Sequence, residues 1–223
     1  MSKKLFFQAI IKFLLGIVLV GLLVFLPSGT LNFINGWIFM GILFIPMFIV
    51  GIIMMVKNPM LLQSRLDAKE KQKEQGLLIK LSGLMFIAGF IVAGLDFRFS
   101  LLPLPPLVTY IASFIFLLSY IMWGEVLREN TYLSRTIKVV ENQKVVDTGL
   151  YGLVRHPMYT ATIFLFLSMP LVLGSLLSFF VFLIYPVLIV FRIINEEKLL
   201  EKELDGYIEY KKKVKYRLIP FIW

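Results

Sequence analysis

The chain has 223 residues, of which 59% are hydrophobic and 15% aromatic, and its formal net charge at pH 7 is +9. This apolar content excludes an ordinary soluble domain and indicates an integral membrane protein. Basic residues interleaved with acidic ones fit an anionic membrane surface, so we expect membrane lipids, and not nucleic acid, as partners. Because the sequence has no cysteine and a single histidine, we also expect neither a disulfide nor a metal site.

Six apolar stretches predict an all-α integral membrane protein, a polytopic helical bundle of five to six membrane segments. They cover residues 5–26, 33–56, 77–95, 104–122, 158–173 and 176–194, and most approach the roughly 20 residues that cross a bilayer. The first stretch is longer than the apolar core of a signal peptide, and no small-residue cleavage site follows it, so we expect a retained helix.

The last two apolar stretches predict a C-terminal helical hairpin. Only Gly174 and Ser175 separate them, and the stretch that begins at Met158 is the shortest of the six and contains Pro170. We therefore expect the first helix of this hairpin to be tilted or to cross the membrane incompletely.

The lysines and arginines divide unevenly between the two ends of these segments. Three lie at the N-terminus, six from Lys57 to Lys80, five from Arg128 to Arg155 and eight from Arg192 onward, which leaves Arg98 alone on the far side. The positive-inside rule therefore predicts that both termini are cytoplasmic.

A charged connector follows the second stretch. Asn58 before Pro59 is typical of a helix N-cap with proline at the first helical position, and charged residues then alternate with leucine at helical spacing up to Lys80. This pattern predicts a helix along the cytosolic membrane interface, and a solvated connector is the alternative.

The longest polar span runs from Glu125 to Arg155. Within it, ENQKVVDTG, residues 141–149, predicts an extended segment followed by a turn through Asp147, Thr148 and Gly149. Connectors in compact proteins seldom exceed about 12 to 15 residues unless they have a function, so this span is a candidate functional region.

The stretch GLYGLVRHPMYTATI, residues 149–163, places an arginine and the single histidine at the start of an apolar helix. A residue before proline avoids the α region and proline is favoured at the first helical position, so we expect His156 at the cap and Pro157 as the first helical residue. The free amides of such a helix start attract an anionic group, and Tyr159 shares the same mouth. For Arg155 alone, a headgroup anchor is the alternative.

The last apolar stretch ends in a cluster of charges. Arg192 and Glu196 are four residues apart and share one helix face, where they either pair with each other or point together into a cavity. Glu196 and Glu197 are adjacent like charges, an arrangement that is unfavourable unless a cation is close. Either a bound cation or Arg192 and nearby lysines would meet this need.

Three motifs in order carry a family resemblance: TGLYGLVRHPMY from Thr148, EEKLL from Glu196 and YIEYKKKVKYRLIPFIW from Tyr207, with an apolar hairpin between the first two. They resemble the C-terminal half of the isoprenylcysteine carboxyl methyltransferase family and its prokaryotic relatives, over residues 143–223. Members of that family are integral membrane enzymes that use S-adenosylmethionine. Phospholipid N-methyltransferases and some membrane sterol reductases share related C-terminal patterns.

The resemblance implies one membrane domain over residues 1–223, with N-terminal membrane helices in 1–127 and a methyltransferase core with a cytosolic cofactor pocket in 128–223. It also implies a catalytic role for Arg192, which handles the substrate, and for Arg155. The residues that it implies for S-adenosylmethionine binding are Gln143, Val145, Val146, Tyr151, Arg155, His156, Pro157, Tyr159, Glu196 and Glu197.

We therefore expect a membrane methyltransferase that takes S-adenosylmethionine from the cytosol and an apolar, lipid-like acceptor from the bilayer, with a carboxylate as the methylated group. A phospholipid amine methyltransferase and an NADPH-dependent membrane reductase of the same superfamily are the alternatives, and a non-catalytic transporter or scaffold ranks last. The enzymatic hypothesis requires His156 and Glu196 to lie at one cleft on the same side of the membrane.

Overall fold

The computed structural model describes residues 3–66, 73–133, 139 and 142–223. Residues 67–72 of the predicted interfacial connector, and Glu141 at the start of the predicted extended segment, lie outside the described residues. In the described part of the chain all regular secondary structure is helical, which confirms the predicted all-α class.

The described helices account for the predicted membrane segments. Five segments are long and apolar enough to cross a membrane, and the shorter apolar α6 is a sixth candidate, so the prediction of five to six segments is confirmed. The five are Lys3–Ser28, Ile34–Lys57, Gln75–Phe99, Pro106–Glu129 and Leu176–Glu203. In chain order the helices are α1 (Lys3–Ser28), α2 (Ile34–Lys57), α3 (Pro59–Leu66), α4 (Lys73–Phe99), α5 (Pro106–Glu129), α6 (Pro157–Val172), α7 (Leu176–Phe182), α8 (Ile184–Glu203) and α9 (Tyr207–Lys213), with a 3₁₀ turn over Gly149–Gly152.

The predicted C-terminal hairpin is formed by α6 and by the segment in which α7 is followed by α8. α6 has 16 residues and is therefore about 24 Å long, which is less than the roughly 30 Å hydrocarbon core of a bilayer. The hairpin turn depends on Gly174, whose φ of 77° lies in the left-handed region, and a Cβ there would lie 2.6 Å from Asn35 Nδ2. Ser175 then caps α7 by accepting a hydrogen bond from Ser178 N at 3.1 Å.

An aromatic core holds the bundle together. Phe39 of α2 and Phe116 of α5 are fully buried, and their ring centroids are 6.2 Å apart. α7 joins this core through Phe182, whose ring centroid lies 5.4 Å from that of Phe86 on α4. Gly89 makes room for this contact, because a Cβ there would lie 2.3 Å from the Phe182 ring. Small residues allow such close helix approach in membrane proteins.

The end of the bundle that holds Arg98 is fastened by a buried acid. Asp96 Oδ1 accepts a hydrogen bond from Leu102 N at 2.7 Å, and its Oδ2 accepts one from Ser175 Oγ at 2.5 Å. Asp96 therefore ties the connection between α4 and α5 to the hairpin. Since α5 and the continuous α7–α8 segment start at this end, the charged C-terminal ends of α5 and α8 lie at the opposite end of the bundle.

The interfacial helix α3 packs against the bundle. Asn58 Oδ1 accepts a hydrogen bond from Leu61 N at 3.1 Å, which confirms the predicted N-cap. Leu61 and Leu62 are buried, and Lys12 Nζ donates to the Leu66 carbonyl at 2.7 Å. These contacts favour a helix that lies on the protein over a solvated connector.

Candidate functional site

The chain enters α6 as predicted. His156 is the N-cap residue, with φ −126° and ψ 58°, and Pro157 is the first helical residue. Arg155 N donates to the Tyr216 carbonyl and His156 N donates to the Arg217 carbonyl, each at 2.9 Å. The C-terminal tail thus supplies acceptors for these two amides, and the anion site on the free amides of α6 stays a prediction.

The tail that follows α9 crosses this helix start and is fastened to it by side chains as well. We call residues 214–218 the tail strap. Arg155 Nη1 donates to the carbonyls of Val214 and Lys215 at 2.8 and 2.7 Å, and Thr160 Oγ1 donates to the last carbonyl of the strap at 2.8 Å. The strap and the start of α6 thus form one hydrogen-bonded unit.

A buried glutamate joins α8 to this unit. Glu197 is 3% exposed, accepts hydrogen bonds from Arg155 Nε at 2.8 Å and Arg217 Nε at 2.9 Å, and lies 3.1 Å from His156 Nε2. The adjacent glutamates were predicted to need a nearby cation. Two arginines meet that need for Glu197, and they are not the predicted Arg192 or lysines.

Tyr159 links the second glutamate of the pair to an arginine. Arg192 Nε donates to Tyr159 Oη at 2.8 Å, and the Tyr159 hydroxyl donates to Glu196 Oε2. The Tyr159 ring stacks on that of His156, with 5.8 Å between centroids. Arg192 and Glu196 therefore meet on one tyrosine, as their shared helix face predicts.

One cleft, at the end of the bundle opposite Asp96, is lined by most of the predicted site residues. It contains about 840 Å³ of space, including the part open to solvent. His156 and Glu196 both line it, so the two distant motifs meet as the enzymatic hypothesis requires, whereas Pro157 and Glu197 are not among its lining residues. The predicted residues that line it are Gln143, Val145, Val146, Tyr151, Arg155, His156, Tyr159, Arg192 and Glu196.

The 3₁₀ turn that presents Tyr151 to the cleft is fixed by α5. Glu129 accepts a hydrogen bond from Leu150 N on both carboxylate oxygens, at 3.2 and 3.0 Å. Gly149 has φ 55°, and a Cβ there would lie 1.6 Å from Glu129 Oε1. Glycine is therefore required at this position, at the end of the predicted turn.

Asn130, Tyr207 and Tyr210 also line the cleft and were not among the predicted site residues. Asn130 hydrogen-bonds to the phenol of Tyr151, and Tyr210 Oη donates to the Tyr151 carbonyl at 2.7 Å. The three-residue spacing of the two tail tyrosines is the available sequence signal, because it places both on one face of a helix.

Three buried tyrosines of the cleft are neutral hydroxyl groups at physiological pH. Burial raises the pKa of Tyr151, Tyr207 and Tyr210 above the usual range. The buried hydroxyl of Tyr207 has no hydrogen-bond partner within the part of the chain that the structure describes. The cleft thus combines the carboxyl group of Glu196, the guanidinium groups of Arg155 and Arg192, the amine of Lys144 and several phenols.

Part of the chain, from α5 to the end of α8, is similar to known proteins. Residues 107–205 match the phospholipid methyltransferase family, a range that begins in α5 and ends after α8. The chain is also similar to the Delta(14)-sterol reductase of Mus musculus, with 34% identity over 91 residues, which are 40% of this chain and 22% of that protein. The chain therefore spans about a fifth of the length of this relative. These matches confirm the predicted resemblance to a superfamily of membrane methyltransferases that also contains sterol reductases.

Proposed function

We propose that this chain, whose residues 107–205 match the phospholipid methyltransferase family, is a multi-pass membrane enzyme that transfers a methyl group from S-adenosylmethionine to a lipid-like acceptor. The observation that carries this proposal is the meeting of two distant polar helix ends at one cleft. His156 and Tyr159 of α6 line it together with Arg192 and Glu196 of α8. Binding sites commonly combine an apolar wall with a few such convergent polar groups.

The lining residues suit the chemistry of S-adenosylmethionine, which has a carboxylate, an ammonium, a sulfonium and an adenine. Glu196 suits the ammonium, and the guanidinium of Arg155 suits the carboxylate. The rings of Tyr151 and Tyr159 suit the sulfonium through cation–π contact. The segment that contributes Gln143 to the cleft is left for the remaining group of the cofactor, the adenine.

S-adenosylmethionine supplies an electrophilic methyl group, whose bond to sulfur breaks as a lone pair of the acceptor attacks in line. The protein's part is to position both molecules and to exclude water. Tyr159 holds Arg192 at 2.8 Å, so the guanidinium is preorganised to orient an anionic acceptor. Phe191, adjacent to Arg192, is 54% exposed, which suits an apolar tail that arrives from the bilayer.

A carboxylate is the acceptor that we favour, because it is already a nucleophile at neutral pH and Arg192 can orient it. The description of the matching family favours a second candidate, a phospholipid amine. An amine must lose a proton before it attacks, and the imidazole of His156, which lines the cleft, can take that proton. Glu197 does not suit this role, since it is bound to two arginines.

Calorimetry on purified protein tests the cofactor assignment. We expect the wild type to bind S-adenosylmethionine, and we expect Glu196→Gln and His156→Ala to weaken binding at least roughly tenfold, because each removes a contact of the cleft. Glu201→Gln is the matched control, since Glu201 lies on the same helix and pairs with Lys211 at the surface. Undetectable binding to folded wild type would contradict the proposal.

Labelled S-adenosylmethionine incubated with a native lipid extract identifies the acceptor. A methyl ester on a carboxylate releases its label in mild base, whereas an N-methyl group keeps it, so the product separates the two candidates. A protein that binds the cofactor but labels no lipid would contradict a lipid-like acceptor.

The sterol reductase match supports a further candidate, an NADPH-dependent reductase. A thermal-shift comparison separates the hypotheses: S-adenosylmethionine, and not NADPH, is expected to raise the melting temperature, since a ligand stabilises the state that binds it. A rise with NADPH alone would replace the methyltransferase proposal. A rise with neither would favour a non-catalytic transporter or scaffold.

A further inference from the structure

Tyr207 lines the cleft and is 3% exposed. Its hydroxyl is buried and has no hydrogen-bond partner among the residues that the structure describes. Buried polar groups are almost always paired, and an unpaired donor destabilises the fold. A hydroxyl kept in this position at the wall of a cleft indicates a partner that binds from outside the chain.

Packing fixes the direction of this hydroxyl. Tyr207 opens α9 directly after Gly206, which has a left-handed φ of 81°. The Tyr207 ring lies 5.8 Å from that of Tyr210, measured between centroids, and both rings belong to a small buried cluster with Leu204 and Val214. The ring is therefore wedged, and the hydroxyl cannot turn to solvent without opening the cluster.

The neighbouring tyrosine shows what a paired hydroxyl looks like in the same cluster. Tyr210 lies one turn further along α9, and its hydroxyl donates to the Tyr151 carbonyl at 2.7 Å. Tyr210 thus completes its hydrogen bond within the protein, whereas Tyr207 does not. Two similar side chains on one helix face therefore have different tasks.

The electrostatic surroundings indicate what the Tyr207 hydroxyl binds. Burial raises the pKa of Tyr207, so the phenol stays protonated at physiological pH and acts as a donor. The charged groups that act on it are Glu197, Arg155 and Glu196. Glu197 is offset by two arginines, and Arg155 lines the same cleft. A phenol donor that shares a cleft with the guanidinium of Arg155 suits an anionic acceptor.

We propose that the Tyr207 hydroxyl donates a hydrogen bond to the carboxylate of S-adenosylmethionine, beside Arg155, and that Tyr207 is a cofactor-binding residue. This inference rests on the proposed function. The carboxylate is the anionic group of that molecule and its strongest acceptor. The ammonium group, on the neighbouring carbon, is assigned to Glu196. Different side chains therefore recognise the two charges of the amino-acid portion.

Tyr207→Phe tests the assignment, because it removes the hydroxyl and keeps the ring. We expect the melting temperature of the ligand-free protein to stay the same or to rise, since a buried unpaired hydroxyl is lost. We expect the Kd for S-adenosylmethionine to increase roughly tenfold. The Kd for decarboxylated S-adenosylmethionine, measured by the same calorimetry, is expected to be equal for the variant and the wild type.

Two control variants give the signatures of other roles. Tyr210→Phe breaks an internal hydrogen bond, so it should lower the melting temperature and weaken both ligands alike. Tyr110→Phe changes a tyrosine that is 65% exposed on α5. It should change neither the melting temperature nor the Kd of either ligand. Suppose that the wild type binds S-adenosylmethionine. If Tyr207→Phe binds it equally well, binds both ligands more weakly to the same degree, or fails to fold, this inference is overturned and the proposed function stands. A wild type that binds neither ligand overturns the proposed function with it.

Discussion

At the scale of single residues, the two adjacent glutamates of α8 have different roles. Glu197 faces the tail strap and binds Arg155 and Arg217, whereas Glu196 faces the cleft through Tyr159. The sequence shows that both need a cation nearby but not which glutamate faces which partner. Neighbouring residues on a helix point about 100° apart, and the rotation of α8 is set by its packing, which one sequence does not reveal.

Glu197→Gln is expected to destabilise the protein. The substitution removes the anion from a pair whose side chains, those of Glu197 and Arg155, are each 4% exposed, and an arginine left unpaired in such a place costs about 3 kcal/mol of unfolding free energy. Denaturant titration in mixed micelles measures this loss. The paired variant Glu196→Gln should change the unfolding free energy by less than about 1 kcal/mol, and equal losses would contradict the division of roles.

At the scale of elements, the features that depend on local sequence were predicted correctly. The N-cap at Asn58, the helix start at His156 and the turn at Gly174 each follow from a proline or a glycine and its immediate neighbours. The tail strap was not predicted, because its hydrogen bonds join residues about 60 positions apart. Strap carbonyls carry no side-chain signature, so the sequence does not show the strap.

The junction between α5 and the 3₁₀ turn yields a prediction at this scale. Gly149→Ala should lower the melting temperature and weaken S-adenosylmethionine binding, because the new Cβ would lie 1.6 Å from Glu129 Oε1. In a Glu129→Ala background the same substitution should cost much less, leaving mainly the strain of a left-handed alanine, about 1 kcal/mol. A double-mutant cycle measures the difference. Additive effects would show that the turn does not depend on this contact.

At the scale of the whole molecule, the two ends of the bundle have opposite characters. The cleft end carries the strap, the charged end of α8 and the basic tail, whereas the Asp96 end carries Arg98 and an aspartate that accepts a hydrogen bond from Ser175. The bias of lysine and arginine supports the proposal that the cleft end is cytoplasmic. The helical bundle and its hairpin could be predicted from hydropathy alone. The prediction that α6 and α8 meet at one cleft depended on the family resemblance.

Cysteine labelling tests this orientation, because the natural chain contains no cysteine. Leu101→Cys lies at the Asp96 end, where the leucine is 55% exposed, and Lys212→Cys lies in the basic tail. An impermeant maleimide should label Leu101→Cys in intact cells and Lys212→Cys only after the membrane is opened. The opposite pattern would place the cleft outside the cell.

The tail strap sets the order in which the protein is synthesised and completes its folding. Residues 214–218 leave the ribosome after helices α1 to α8, yet they supply the carbonyls that hold Arg155 and the start of α6 in place. A nascent chain that has inserted its helices therefore still lacks a finished cleft. The start of α6 therefore acquires its final hydrogen bonds only after α1 to α8 have been synthesised.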